Sequence, residues 1–262
     1  MTGAEKLLET ARAEIGYLEK ASNAQLDDKT ANAGHNNWTR YARDLDALGV
    51  YNGKKNGYAW CDMFVDWCFI RTFGLEAGMQ LTCQPMGGYG AGCTESARYY
   101  RQKGRFVTSG PQPGDQIFFT RDGGKTMYHT GLVEKVAGGR VYTIEGNTSS
   151  AVGVVENGGA VRDKSYPLTY AQIGGYGRPD WSLVQGDDEM TEQQIREIIR
   201  DELQKAASSR GSLKANAWAA QYIKVCIEAG AMTDVGGGTI ERPQDFATRE
   251  ELAKVAAVMA QR

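Results

Sequence analysis

The spacing of apolar residues changes near residue 110, and this change constrains the fold more than any other feature of the chain. Before it, the sequence predicts helices over 4–20, 60–73 and 94–103, separated by loops at 21–57 and 74–92. After the turn signal at 111–115 (PQPGD), short apolar runs are typical of strands. The predicted strands lie at 117–119, 131–136, 141–145, 152–155, 160–162 and around Tyr176. Helices followed by strands predict an α+β fold, with the helices packed on an antiparallel sheet.

A change of composition at 182–190 (SLVQGDDEM) predicts a linker between two domains. Beyond it, helical spacing continues to the end of the chain, with capping boxes at Thr191/Gln194 and Thr248/Glu251. We therefore predict a larger domain at 1–181, a linker at 182–190 and a small all-helical domain at 191–262.

Charge and hydropathy exclude two classes of protein. The net charge of −2 and the pI of about 5.8 lack the basic excess that is typical of nucleic-acid binding. No stretch reaches the roughly 18 apolar residues of a membrane span, and the first twenty residues lack the apolar core of a secretory signal. We expect a chain made in the cytosol, without membrane insertion, that needs another route to any substrate outside the membrane.

The cysteine pattern argues against both disulfides and metal. The chain has five cysteines, an odd number, with no CxxC pair and only two histidines. A disulfide framework and a structural zinc site are therefore not expected, and we predict no cofactor. Four of the cysteines are interpreted as small buried hydrophobic residues. These are Cys68, Cys83, Cys93 and Cys226.

The segment Gly57–Ile70 (GYAWCDMFVDWCFI) predicts a helix that is buried on most sides, with Cys61 near its first turn. A helix N-terminus carries partial positive charge and free N–H groups, and both favour a thiolate. Cys61 is therefore a candidate nucleophile, although the helix alone fits a core cysteine equally well. Tyr58 and Trp60 flank it and are candidates for a substrate-binding groove.

His129 lies in a predicted hairpin whose register decides its neighbours. With a three-residue loop at Ala137–Gly139, His129 lies opposite Asn147 and Glu145 is diagonal to it on the same face. A two-residue turn sends Glu145 to the other face, because side chains alternate along a strand. A His129–Glu145 pair therefore requires the longer loop or a bulge that restores parity.

A cysteine at a helix start, a histidine on a strand and a polar residue on the next strand are the nucleophile, base and orienting group of a cysteine hydrolase. Their order in the chain is that of papain-like enzymes. Taken singly, His129 fits a hydrogen-bonded structural histidine and Glu145 a solvated strand residue, but the combination with Cys61 indicates an enzyme. His35 lies in an Asn- and Gly-rich loop and is predicted at the surface.

At these residues the sequence resembles the CHAP domain, the cysteine- and histidine-dependent amidohydrolase/peptidase family, over roughly residues 1–180. The matching blocks, in order, are 57–65, 113–118, 128–133 and 142–148, with 175–179 similar to the family's closing segment. The resemblance implies a papain-like fold and cleavage of an amide bond in bacterial peptidoglycan. It implies Cys61 as nucleophile, His129 as base and Glu145 as orienting residue, with Asn147 as a helper or the alternative third member. The cut would fall within the peptide or at the sugar–peptide amide.

Some CHAP relatives bind calcium through an Asp-x-Asp stretch shortly before the cysteine. Here Asn52 and Lys54 occupy that neighbourhood, so no calcium site is predicted.

At 218–231 and 242–252 (RPQDFATREEL) the tail is similar to the S-layer-homology-like segments that end many Gram-positive phage lysins. This resemblance implies a wall-binding or oligomerising module and a bacteriophage endolysin with antimicrobial action. Such an enzyme is made in the host cytoplasm and reaches the cell wall through a holin pore. Met190 lies between the domains, where an internal start would give a free tail fragment that assembles with the full-length chain.

Two other functions remain open from the sequence. One is an inactive wall-binding protein that keeps a papain-like fold, and the other is a cysteine amidohydrolase of a small intracellular amide.

Overall fold

The described part of the chain is a set of helices followed by one antiparallel sheet. The structure, a computed structural model, describes residues 1–184; the predicted tail domain, Met190 and Cys226 lie outside the described residues. The helices are α1 Gly3–Glu14, α2 Arg40–Leu48, α3 Cys61–Phe73, α4 Leu75–Leu81 and α5 Cys93–Gln102. The strands are β1 Phe106–Val107, β2 Gln116–Phe119, β3 His129–Ala137, β4 Arg140–Thr148, β5 Ala160–Pro167 and β6 Ile173–Gly177. The predicted α+β fold is confirmed.

Several element predictions were wrong. Helix α1 ends at Glu14, six residues before the predicted end, and residues 152–155 form no strand. Helices α2 and α4 lie in segments predicted as loops. Helix α2 begins after Thr39, whose side chain accepts the Ala42 N–H at 3.1 Å, and ends at Gly49 in the left-handed conformation. Such short helices contain too few apolar residues for a clear period, and their stability comes from packing.

The six strands lie in the order β1-β6-β2-β3-β4-β5, and every pairing is antiparallel. Strand β6, which ends the sheet in sequence, therefore lies inside it between β1 and β2. Helix α3 packs across β3 and β4. It approaches so closely at Gly146 that an added Cβ there would lie 2.5 Å from the Phe64 Cβ. The sheet thus carries its histidine strand directly under the helix that begins at Cys61.

Helix α3 is the centre of the main core. Every residue from Cys61 to Ile70 is buried, as its nearly unbroken apolar sequence predicts. Its two carboxylates are buried as well, and each has hydrogen-bond donors. Asp62 accepts from Ser96 at 2.7 Å and from Gln116 at 3.0 Å, and Asp66 accepts from Tyr51.

The β3–β4 hairpin turns at Gly138 and Gly139, both with positive φ, so Ala137 pairs with Arg140. Of the two alternatives that bring Glu145 to the face of His129, the three-residue loop is therefore excluded. A bulge between Val133 and Lys135 then shifts the register, so that Val133 pairs with Thr143. This bulge restores the parity that brings Glu145 to the face of His129.

The chain continues to pack beyond the predicted end of the larger domain at 181. A short 3₁₀ helix, Trp181–Leu183, places the Trp181 ring against Phe69 of α3 with ring centroids 6.1 Å apart. Val184 also packs against the main core. Residues 182–184, the first three of the predicted linker, thus belong to the folded unit. In residues 1–184, no helix is long and apolar enough to cross a membrane.

Candidate active site

Cys61 is the first residue of α3, and its sulfur lies at the helix N-terminus. Trp60 precedes it as the N-cap residue, and the Trp60 side chain makes no capping hydrogen bond. The Trp60 carbonyl accepts the Phe64 N–H at 2.9 Å. The Trp60 indole is held in place by Glu19, which accepts its Nε1–H at 2.9 Å. A thiol at this position meets the unpaired N–H groups of the first turn, and these stabilise a thiolate.

His129 and Glu145 form a fully buried hydrogen-bonded pair. The imidazole Nε2 lies 3.0 Å from the Glu145 Oε2, and both side chains have 0% exposure. Thr143 donates to Oε1 at 2.5 Å and Tyr166 to Oε2 at 3.2 Å. The carboxylate is thus fixed by two hydroxyl groups, and it fixes the imidazole in turn. Phe119 covers one face of the imidazole, with ring centroids 5.9 Å apart.

Gly131 makes room for this pair. It lies two residues after His129 on β3, and an added Cβ would lie 2.5 Å from the Glu145 Cγ. Its lack of a side chain lets the Glu145 side chain extend along the strand toward the imidazole. A glycine in the middle of a strand often marks such a close approach.

Cys61 and His129 act on each other electrostatically. With Nε2 bound to Glu145, the imidazole Nδ1 has no hydrogen-bond partner among the described residues. Burial disfavours the imidazolium, but interactions with Cys61 and Glu145 outweigh it and raise the pKa of His129 to about 10. A hydrogen bond from Cys93 and the charge of His129 hold the pKa of Cys61 well below its usual value, against the effect of burial. Both shifts favour a thiolate on Cys61 and an imidazolium on His129.

Cys93 lies next to Cys61, a contact that the sequence did not predict. Its Sγ is 3.6 Å from the Cys61 Sγ, and both residues are buried, at 7% and 5% exposure. Cys93 was interpreted as a small hydrophobic residue of the core, like Cys68 and Cys83. That interpretation fits Cys68, which is fully buried, and partly fits Cys83, which is half-buried.

Asn147 makes no hydrogen bond to the imidazole. Its Oδ1 accepts the Gly159 N–H at 3.3 Å, and its Nδ2 has no partner in the described part of the chain. Its φ of 52° lies in the left-handed region, where the β4–β5 register shifts between Glu145 and Thr148. Of the two predicted third members, Glu145 is the one that holds His129 in this structure.

The two predicted substrate-binding aromatic residues have opposite environments. Tyr58 is 64% exposed, on the loop before the nucleophile. Trp60 is fully buried and packs on Tyr41 with ring centroids 5.5 Å apart. The structure thus corrects the prediction for Trp60, because a ring that belongs to the core presents no surface to a substrate. His35 is exposed, as predicted.

Metal-binding groups are sparse near this site. Within residues 1–184, no three His, Cys, Asp or Glu side chains are grouped to hold a metal ion. Asn52 and Lys54 are both exposed.

A family profile and solved structures are similar to parts of this chain. The sequence profile of the CHAP domain matches residues 53–147, which include all four predicted catalytic residues. Two solved structures of Ly7917 are similar to the chain, one of them with the hydrolyzing product of MDP. They have TM-scores of 0.40 and 0.38 and identities of 17% and 15%, and the similarity covers 68% of this chain in each case. The chain spans 63% of the length of Ly7917. No curated protein matches the chain by sequence. The chain thus matches the CHAP domain over residues 53–147.

Proposed function

We propose that this chain is a peptidoglycan hydrolase that cuts an amide bond of the cell-wall peptide by cysteine nucleophilic catalysis. The observation that carries the proposal is the buried His129–Glu145 pair acting on a cysteine at a helix start. The match of this segment to the CHAP domain supports the assignment to peptidoglycan.

The geometry supports a two-step acyl transfer. The Cys61 thiolate attacks the amide carbonyl carbon, and the backbone N–H groups at the start of α3 face the oxygen on which negative charge develops. The imidazolium of His129 then protonates the leaving amine as the C–N bond breaks. In the second step, neutral His129 takes a proton from water, which attacks the thioester and releases Cys61. Glu145 keeps the imidazole in position throughout.

The rate of wall lysis should depend on pH as a bell-shaped curve. The ion pair forms as pH rises through the pKa of Cys61, which lies well below its usual value of 9.0. It is lost when His129 deprotonates, at a pKa raised to about 10. We therefore expect full activity at neutral pH and a decline only near pH 10. Initial rates of turbidity loss at constant ionic strength would measure this. A decline centred near 6.5, the ordinary pKa of histidine, would contradict the ion pair.

Gly131→Ala should reduce activity without unfolding the protein. The new Cβ would overlap the Glu145 Cγ at 2.5 Å and push the carboxylate away from His129. Because a misplacement of about 1 Å can cost roughly 100-fold in rate, we expect a loss of about 10- to 100-fold. Gly53→Ala is the control, since its Cβ would contact nothing within 4 Å. Equal rates for both variants would show that Glu145 has room to adjust.

Both bond types remain candidates, endopeptidase cleavage within the peptide and N-acetylmuramoyl-L-alanine amidase cleavage at the sugar. Mass spectrometry of muropeptides from digested walls distinguishes them. A new N-terminal amine inside the peptide indicates an endopeptidase, and free lactyl-muramic acid indicates an amidase. Intact walls after prolonged digestion would instead favour hydrolysis of a small amide.

We further propose that the chain acts as a phage endolysin, made in the host cytoplasm and released to the wall through a holin pore. The support is the resemblance of the tail to S-layer-homology-like segments. A free tail fragment starting at Met190 would assemble with the full-length chain. Intact-mass analysis of the recombinant protein tests the fragment, and a single full-length species would end that part of the proposal.

A further inference from the structure

The second cysteine of the site begins a helix, as the nucleophile does. Cys61 is the first residue of α3 and Cys93 the first residue of α5, so two helix N-termini converge on one pair of sulfur atoms. The 3.6 Å separation is a hydrogen-bonding distance for sulfur. Mostly apolar side chains pack around the pair. They are Ala97, Tyr100, Phe118 and Met127, with Cys83 and Phe106 at the edge.

The start of α5 is fixed against both catalytic elements. The Thr94 hydroxyl donates to the Met127 carbonyl at 3.2 Å and accepts the Met127 N–H at 2.9 Å, two residues before His129. Ser96 donates to Asp62, the residue after the nucleophile, at 2.7 Å. Cys93 is therefore positioned by specific contacts to the nucleophile's helix and to the segment leading to the base.

The charges around the pair decide which sulfur carries the proton. His129 faces Cys61 and favours a thiolate there. The contact with the Cys61 thiolate and burial both raise the pKa of Cys93. The remaining titratable groups of the cluster, Tyr100 and Cys83, are uncharged at neutral pH. Cys93 thus keeps its S–H, and the only ionised sulfur within reach is Cys61.

We propose that Cys93 is a catalytic residue whose S–H donates a hydrogen bond to the Cys61 thiolate. The contact takes the place of water in solvating the reacting sulfur. This inference rests on the proposed cysteine mechanism and adds a group to it. A hydrogen bond to a thiolate has two opposite effects, because it raises the fraction of thiolate and lowers the nucleophilicity of each thiolate.

These opposite effects give a signature that packing alone would not produce. In Cys93→Ala, we expect the pH midpoint for alkylation of Cys61 to rise by about one unit, a tenfold change in the thiol–thiolate equilibrium. Well above that midpoint, where all of Cys61 is ionised, alkylation should be about threefold faster than in the wild type. The two pH profiles therefore cross.

The experiment uses the full chain and iodoacetamide, with modification of Cys61 followed by peptide mass spectrometry. Cys93→Ser retains a donor and should lie between the wild type and Cys93→Ala. A packing role predicts the reverse order, because a buried hydroxyl is less well tolerated than a methyl group. Cys83→Ala is the matched control from the same cluster and should leave the profile unchanged. Because alkylation needs no wall substrate, this result is separate from whether the chain hydrolyses peptidoglycan.

Parallel profiles for wild type and Cys93→Ala would overturn the proposal, as would a Ser variant further displaced than Ala. If Cys93→Ala does not fold, Cys93→Ser alone decides through the shift of its midpoint. A second measurement tests the geometry in the wild type. Diamide, which removes two hydrogens from a pair of thiols, should give a Cys61–Cys93 disulfide in the peptide map. Its absence at full oxidation would show that the sulfur atoms do not meet.

Discussion

Cys61→Ala should reduce lysis of purified walls to the background of a turbidity assay, a loss on the order of 10⁵-fold or more. The reason is that the thiolate forms the covalent intermediate, and no other group within reach of His129 can replace it. The Cys93 sulfur lies 3.6 Å from the Cys61 sulfur, but burial raises the pKa of the Cys93 thiol and keeps it a poor nucleophile in this variant. Wall binding should persist, since the substitution removes one buried atom and no charged surface.

The matched control is Cys68→Ala, which removes the same atom two turns further along α3. Cys68 is fully buried in the main core, so this variant should lose some thermal stability and keep its lytic rate. Lysis retained by Cys61→Ala would place the nucleophile elsewhere. If wild type and Cys61→Ala both bind walls and neither lyses them, the chain is an inactive wall-binding protein.

Glu145→Gln should lower kcat/KM by roughly 10²- to 10³-fold, because the third member orients the imidazole and stabilises its charged form. Gln retains the shape and removes the negative charge that helps to raise the pKa of His129. The high-pH limb of the activity profile should therefore move below 10, toward the ordinary histidine value of 6.5. This shift separates an electrostatic role from a merely structural one.

Asn147→Ala is the companion variant, because Asn147 is the alternative third member. It makes no hydrogen bond to His129, so we expect less than about a tenfold effect on the rate and no shift of the pH profile. A larger loss in Asn147→Ala than in Glu145→Gln would reverse the assignment.

Two parts of the site, the helix start at Cys61 and the β3–β4 hairpin, could be predicted from short stretches of sequence. The start of α3 follows from an apolar run behind a glycine-bearing loop, and the hairpin follows from Gly138-Gly139 between two apolar segments. The register was not predictable, because a three-residue loop and a two-residue turn with a bulge bring Glu145 to the same face. Only the pairing of Ala137 with Arg140 next to the turn distinguishes them. The number of residues between His129 and Glu145 shows what is needed to place both side chains on one face. It does not tell whether a longer loop or a bulge does so.

Contacts between distant segments were beyond sequence reasoning. Cys93 is 32 residues from Cys61, and a small residue at a helix start has the same sequence signature whether it lies in a core or beside a nucleophile. Trp60 was assigned to a groove because it flanks Cys61, but its partner, Glu19, is 41 residues away. Such pairings depend on how the elements pack, which composition and periodicity do not report.

The place of β6 in the sheet has a practical consequence for protein engineering. Strands β5 and β6 come after residue 147, and β6 lies between β1 and β2 in the sheet. A fragment cut to 53–147 would therefore lose both strands. Its β1 would be separated from β2, and β4 would become an uncovered edge. Removing 181–184 would also remove the Trp181 ring that stacks on Phe69. A chimaera that joins this lytic unit to a new targeting module should therefore be spliced after Val184 and keep the chain from its first helix onward.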